Sequence, residues 1–163
     1  MNLSELKWAC GLYGQLGAPY DASLRTFRRC VAPTFDVSKP EHRACLFTWL
    51  NKWKCRQFAL EHHMTTASDS LIHWANVWLE RLPPADVLLT NLDPAEIRRG
   101  AAAYEALRDE TASFKKRDGR LIAATFGKTG AAKTLFALRP MVFPPWDEQI
   151  REALGFKRGS CPR

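Results

Sequence analysis

A run of glycine, lysine and threonine in the last third of the chain has the composition of a phosphate-binding turn. Residues 126–129, FGKT, are predicted to join a short helix over Leu121 to Thr125 to an alanine-rich helix over Gly130 to Leu138. Glycine lets backbone N–H groups approach phosphate oxygens without an obstructing Cβ, and the dipole of the following helix favours an anion. The predicted phosphate contacts are Gly127, Lys128, Thr129, Gly130 and Lys133. Taken alone, the pattern also fits an ordinary helix–helix turn.

A single carboxylate, Asp147, follows one helix later, after the proline-rich residues 143–146. A turn that holds a nucleic-acid backbone, followed by one carboxylate aimed at what is bound there, is an arrangement suited to general acid–base chemistry. Asp147 is therefore the candidate catalytic residue. A helix N-cap is the competing and compatible interpretation, because Asp caps well and Glu148 lies in the first turn. The flanking candidates, for the pocket floor and for phosphate or carboxylate contacts, are Trp146, Arg139 and Arg151.

Residues 49–56, WLNKWKCR, combine aromatic rings, an amide and cations, which are groups that stack on a base, replace its lost pairing and hold phosphate. The candidate DNA contacts in this stretch are Asn51, Lys52, Trp53 and Arg56. Trp49 and Trp53 are four residues apart on a predicted helix, so packing in the core is the competing interpretation. For Trp49 we adopt the core interpretation.

Composition indicates one compact domain over residues 1–163 with an affinity for polyanions. The chain is 46% hydrophobic, which is enough for a sizeable core. It has 24 Lys and Arg against 17 Asp and Glu, a net charge of +7, which favours DNA or RNA as a partner. Simple solubility charge explains the same balance equally well. No apolar run is long enough to span a membrane, and the N-terminus lacks the pattern of a signal peptide.

The cysteines and histidines predict no metal and no cofactor. The five cysteines are scattered, odd in number and never in a CxxC pair, which predicts free thiols in a reducing cytoplasm and no disulfide framework. His62 and His63, together with Cys55 and His73, fit no established zinc spacing. The remaining basic clusters, Arg98-Arg99 and Lys115-Lys116-Arg117, are predicted to be solvated or to face phosphate.

Helical periodicity predicts an all-α fold, a compact multi-helix domain with short loops. The predicted helices span residues 4–17, 21–30, 41–53, 68–82, a short stretch at 84–89, and a helix from Pro94 that Asp93 caps. The last of these is expected to bury a face of Ile97, Ala101, Tyr104 and Leu107. Residues 115–120, KKRDGR, are predicted to form a basic turn, and no segment alternates over a convincing strand length.

These features resemble the helix-hairpin-helix DNA glycosylase superfamily, whose members pair a glycine-containing hairpin with an aspartate about one helix later. The likeness covers about residues 41–155, and its specific motif lies in residues 121–155, with the hairpin at 126–131, the loop at 143–146 and then Asp147. It implies base flipping and excision, in which the Asp147 carboxylate stabilises oxocarbenium character at C1′ as the glycosidic bond breaks and orients or deprotonates the attacking water. DNA is the implied partner, and the protein is expected to act as a monomer.

The chain departs from the family pattern at two hairpin positions. Thr125 stands near the place of the first hairpin glycine, and Thr129 stands where lyase-competent relatives carry a Schiff-base lysine, although a one-residue shift would put Lys128 there. The iron–sulfur cysteines of some relatives are also missing. The departures favour a monofunctional glycosylase that leaves an abasic site.

The resemblance leaves several functions open. The chain looks like small bacterial antiphage glycosylases that remove hypermodified cytosine, such as glucosylated hydroxymethylcytosine, from phage DNA. The alternatives are a repair glycosylase for oxidised or alkylated bases, a non-catalytic DNA-binding helix-hairpin-helix module, and a helical protein-interaction domain.

Overall fold

The computed structural model describes residues 18–58 and 65–144, and the predicted helix over residues 4–17 lies outside them. These ranges contain five α-helices and one two-stranded antiparallel sheet. In chain order the elements are α1 (Ala18–Cys30), α2 (Pro40–Lys52), α3 (Thr66–Trp78), α4 (Pro94–Asp109), β1 (Thr111–Arg117), β2 (Arg120–Thr125) and α5 (Gly127–Leu138). Short 3-10 helices occupy Leu79–Arg81 and Leu89–Asn91. The predominance of helix is confirmed, but the described fold is not strictly all-α.

The sheet is the main correction to the prediction. Leu121 to Thr125 lie in strand β2 and do not form a short helix. The turn predicted over residues 115–120 comprises only Asp118 and Gly119. Both residues have positive φ, 51° and 75°, as a tight two-residue hairpin turn requires, and Asp-Gly is a strong signal for such a turn. The flanking strands show no apolar–polar alternation because most of the hairpin is exposed on both faces.

Helix α4 begins as predicted but buries a face that only partly matches the predicted one. Asp93 accepts a 2.7 Å hydrogen bond from the Glu96 backbone N–H, and the Glu96 carboxylate accepts from the Asp93 N–H at 2.9 Å, completing a capping box. The buried residues of α4 are Gly100, Ala103 and Leu107. Of the predicted face, Leu107 is fully buried and Tyr104 packs against the core, whereas Ala101 and Ile97, which is 51% exposed, face solvent.

The reason for the rotation of α4 lies in its neighbours. The Trp74 indole N–H of α3 donates to the Ala103 carbonyl at 2.9 Å, so a small residue must face α3 there. A Cβ on Gly100 would lie 3.2 Å from the Phe143 ring. Gly100 and Ala103 therefore lie on the face that packs inward.

The core forms where α2 meets α1, α3 and α5. Leu46, Phe47 and Leu50 of α2 are fully buried, and the Trp49 ring stacks on Phe27 of α1 with centroids 5.0 Å apart. The core interpretation of Trp49 is thus confirmed. Phe126, just before α5, packs edge-on against Phe58 at 4.9 Å between ring centroids.

Helices α2 and α3 largely match their predicted spans. α3 ends at Trp78 and continues as the 3-10 helix before Pro83 and Pro84, which cannot extend it. Residues 84–89 do not form the expected short helix; the 3-10 helix Leu89–Asn91 follows instead. No helix in the two described ranges is long and apolar enough to cross a membrane.

Two of the cysteines correct the expectation of free thiols. Cys30 at the end of α1 and Cys45 on α2 form a disulfide, with Cα atoms 6.5 Å apart. Cys55 is free and buried, and burial raises the pKa of its thiol. Cys10 and Cys161 lie outside the described residues.

Candidate nucleic-acid interface

The segment after α2 places cations outside and apolar groups inside. The chain leaves α2 through Lys54, whose φ is 63°, and the Cys55 N–H donates to the Leu50 carbonyl at 3.0 Å. Cys55 and Phe58 are buried beneath this turn, whereas the basic side chains Lys52, Lys54 and Arg56 are exposed. Exposure leaves these cations available to a ligand.

The N-terminus of α5 differs from the predicted helix–turn–helix. Residues 127–130 are the first turn of α5, and strand β2, not a helix, leads into them. Gly127 has φ 66°, in the left-handed region that favours glycine. The first turn holds no acidic residue, and no side chain caps it. The helix dipole at this end therefore remains favourable to an anion.

Lys133 joins α5 to the segment after α2. Its Nζ donates to the Trp53 carbonyl at 3.1 Å and lies 4.9 Å from the centroid of the Trp53 ring. Only 6% of Lys133 is exposed. The expectation that Lys133 contacts phosphate is therefore wrong for this structure, because its charge is used between the two segments.

Trp53 is held in place from three sides. Its indole N–H donates to the Ser23 hydroxyl of α1 at 2.7 Å, and its ring lies 4.8 Å from that of Trp49. With Lys133 over its ring, Trp53 packs against its neighbours. Asn51, two residues earlier on α2, is partly buried.

Gln57 makes a further link that the sequence analysis missed. Its side-chain N–H donates to the Phe126 carbonyl at 2.5 Å. A Cβ on Gly130 would lie 2.8 Å from Gln57 Nε2 and 3.0 Å from the Phe58 ring, so this glycine permits close packing. The two bonded residues are 69 positions apart, and no local pattern signals such a contact.

The other candidates of α5 are divided between its two ends. Lys128 and Thr129 are partly buried at the first turn, where the Tyr104 hydroxyl donates to the Lys128 carbonyl at 3.4 Å. Arg139 lies at the opposite end, about 17 Å away along a 12-residue helix. Its guanidinium donates to the carbonyls of Pro83 at 2.7 Å and Leu138 at 2.9 Å, and burial lowers its pKa. Among the described candidates, Arg139 is therefore distant from Lys128 and Thr129.

The remaining candidates, Asp147, Trp146 and Arg151, lie outside the described residues. The described chain ends at Pro144, just after Val142 and Phe143, whose N–H groups both donate to the Arg139 carbonyl at 3.0 Å. His62 and His63 also lie outside. Among the residues that the structure does describe, no cluster of three or more His, Cys, Asp or Glu side chains is arranged to hold a metal ion.

We define the α2–α5 face as residues 51–57 and 127–133, the two segments that Lys133 and Gln57 join. Its basic residues are Lys52, Lys54, Arg56, Lys128 and Lys133, and it contains no acidic residue. A surface of one charge sign that borders an uncapped helix N-terminus is complementary to a polyanion.

Searches against protein-family models, curated proteins and solved structures each return no match to this chain. The chemistry of the α2–α5 face therefore carries the functional proposal.

Proposed function

We propose that this protein binds DNA through the α2–α5 face and is a monofunctional DNA glycosylase. The observation that carries the proposal is the contact between two segments that present the exposed cations Lys52, Lys54 and Arg56 and contain no acidic residue. Such a face attracts a phosphate backbone, and the net charge of +7 acts in the same direction.

In this proposal the described residues hold DNA while Asp147 acts on it. Lys52, Lys54 and Arg56 are exposed and supply phosphate contacts. The first turn of α5 adds a favourable dipole. A nucleotide flipped out of the duplex presents C1′ to the Asp147 carboxylate. The C1′–N bond breaks, the base leaves with the bonding electrons, and water adds to C1′ to give an abasic site.

The proposed substrate is hypermodified cytosine of phage DNA, such as glucosylated hydroxymethylcytosine, which the family resemblance favours. The enzyme would then act as a monomer in the cytoplasm as part of antiphage defence. Oxidised and alkylated bases are the alternative substrates, in which case the same chemistry serves repair.

The experiment is to incubate the protein with duplexes that are unmodified, glucosylated, oxidised or alkylated. Mass spectrometry detects released base, and hot alkali detects abasic sites as strand breaks. We expect release from one modified duplex and none from unmodified DNA. Failure to release base from every duplex in the panel would refute the glycosylase proposal.

Asp147→Asn provides the specific test of mechanism. We expect base release to fall by about 100-fold to 1,000-fold, because the developing positive charge loses its carboxylate, while DNA affinity stays nearly unchanged. Glu148→Gln is the matched control, since it removes the neighbouring carboxylate and should leave release intact. Equal release from wild type and Asp147→Asn would exclude Asp147 as the catalytic residue.

Binding of DNA without base excision is the second candidate function. It is favoured by one observation, the lack of any carboxylate within the α2–α5 face, which leaves catalysis dependent on a residue outside it. This candidate predicts salt-dependent DNA binding that is identical in wild type and Asp147→Asn, with no base released by either.

A further inference from the structure

The β1–β2 hairpin projects from the domain. Ala112 and Ser113 are buried at its base, whereas both strands are exposed on both faces from Phe114 to Ala123. An isolated two-stranded ribbon is marginally stable in water, so a projecting one needs local support. Helix α3 packs against β1, and the Phe126 N–H donates to the Glu110 carbonyl at 2.8 Å across the base.

The exposed part of the hairpin is strongly basic. Its four cations are Lys115, Lys116, Arg117 and Arg120. The one acid within the hairpin, Asp118, is 94% exposed and lies 3.9 Å from Arg117, which makes a weak ion pair. Arg117 and Arg120 stand directly opposite each other in the register, and like charges so placed destabilise a hairpin. A polyanionic ligand would remove that repulsion.

Apolar side chains are interleaved with these cations. Leu121 is 64% exposed and Ile122 is 47% exposed, and their cross-strand partners are Lys116 and Lys115. Phe114, 42% exposed, lies on the same strand as the two lysines. Apolar side chains among cations match the chemistry of a nucleic-acid groove, where phosphates line the edge and base steps or thymine methyls lie within.

The dimensions of the hairpin also suit a DNA groove. The major groove is about 12 Å wide and admits a two-stranded ribbon. Four exposed residues per strand reach about 14 Å, more than the groove depth of about 8.5 Å. In addition, β2 runs through Phe126 directly into the first turn of α5, so the base of the hairpin adjoins the α2–α5 face.

We propose that the β1–β2 hairpin is a second DNA-binding element, which inserts into a groove of duplex DNA beside the nucleotide held at the α2–α5 face. This inference rests on the proposed binding of DNA but not on catalysis by Asp147.

The test compares two double variants that each remove two exposed arginines. Arg117→Gln/Arg120→Gln alters the hairpin, and it should fold at least as well as wild type because it removes a cross-strand repulsion. Arg28→Gln/Arg29→Gln on α1 is the matched control, since both side chains are exposed. Fluorescence anisotropy with an unmodified 20-base-pair duplex gives Kd at several salt concentrations, and circular dichroism gives the Tm of each protein.

We expect the hairpin variant to bind roughly tenfold more weakly, and the slope of log Kd against log salt to fall by about 1.8 for two lost phosphate contacts. The control should match wild type. Lysine acetylation read by mass spectrometry adds a measurement on wild type alone, in which DNA should protect Lys115 and Lys116 but not Lys39.

Three results would overturn the proposal: an unchanged salt slope in the hairpin variant, no DNA-dependent protection of Lys115 and Lys116, or no DNA binding by wild type. Hairpin-dependent binding to vesicles containing phosphatidylserine, but not to DNA, would reassign the hairpin to a membrane surface. Weaker binding by the hairpin variant without base release by wild type would uphold the hairpin and refute only the glycosylase.

Discussion

At the scale of single residues, Lys133 is a basic side chain that is buried within the fold and is not available to a ligand. The sequence predicts it as a phosphate contact because it follows a glycine-containing turn. In the structure its ammonium lies between the carbonyl and the ring of Trp53, and very little of it is exposed. The cation therefore supports the α2–α5 face from within, while its exposed neighbours present charge to solvent.

Replacement of Lys133 by methionine is expected to destabilise the protein by about 1–3 kcal/mol. Methionine fills a similar volume, but it leaves the Trp53 carbonyl without its charged donor and removes the cation–π contact. Urea denaturation followed by tryptophan fluorescence measures the change in free energy of unfolding. The control is Lys116→Met, at an exposed position of β1, which should change stability by less than about 0.5 kcal/mol. Equal effects of the two substitutions would show that the Trp53 contacts contribute little.

At the scale of elements, the Asp93 cap of α4 makes the stability of the fold depend on pH. The backbone N–H of Glu96 is the largest cause that holds the pKa of the Asp93 carboxyl below its ordinary value of 3.8. A lowered folded-state pKa stabilises the fold above the ordinary value, and the stabilisation is lost as pH falls through the lowered pKa.

Asp93→Ala is accordingly expected to lower Tm at pH 7, by about 2–4 °C. The difference from wild type should shrink as pH falls below the ordinary value of 3.8 and through the lowered pKa, because the wild-type carboxyl then becomes protonated and is no longer an anionic acceptor. Thermal melts followed by circular dichroism across this range make the comparison. Asp86→Ala, an exposed carboxylate in the preceding loop, is the control. A Tm difference of equal size at pH 7 and pH 2 would contradict a role for the charged cap.

Residues 121–129 were assigned to the wrong elements for a reason that also lies at this scale. Leu121 to Thr125 contain alanine and leucine, which suit a helix as well as a strand. Their strand conformation depends on pairing with β1 across the Asp118-Gly119 turn. Once β2 ends at Thr125, the chain enters α5 three residues earlier than predicted, and the expected phosphate-binding turn becomes a helix N-terminus.

At the scale of the whole molecule, the α2–α5 face and the β1–β2 hairpin form two basic surfaces joined by residues 125–127. If both hold one duplex, their contributions to the salt dependence of binding are additive. Lys52→Gln/Arg56→Gln should lower the salt slope by about 1.8, and its combination with Arg117→Gln/Arg120→Gln by about 3.6.

Anisotropy titrations of the two double variants and of the quadruple variant test this additivity. If the quadruple variant binds DNA no more weakly than either double variant, the two surfaces do not engage the same duplex. Circular dichroism must show equal folding for all three, since the substituted side chains are exposed.

The features that the sequence predicted correctly depend on neighbours within one or two helical turns. Asp93, Pro94 and Glu96 carry a complete capping signal in four residues, and Pro83 and Pro84 end a helix wherever they stand. The apolar pattern of residues 41–53 sufficed to predict a buried helix and a core position for Trp49. The basic balance of the chain likewise needs no structure.

The sequence by itself thus determined the helices α1 to α4, the cap of α4 and the positive charge of the molecule, because propensity, periodicity and composition are local or additive properties. Only the tertiary structure decided which face of α4 is buried, that residues 111–125 pair as strands, and that Lys133 and Gln57 join α5 to the segment after α2. These outcomes depend on contacts between residues that are distant in the chain: Trp74 with Ala103, Trp53 with Lys133, and Gln57 with Phe126. Such pairs form only when the packing of the whole domain brings donor and acceptor together, so no local sequence pattern predicts them.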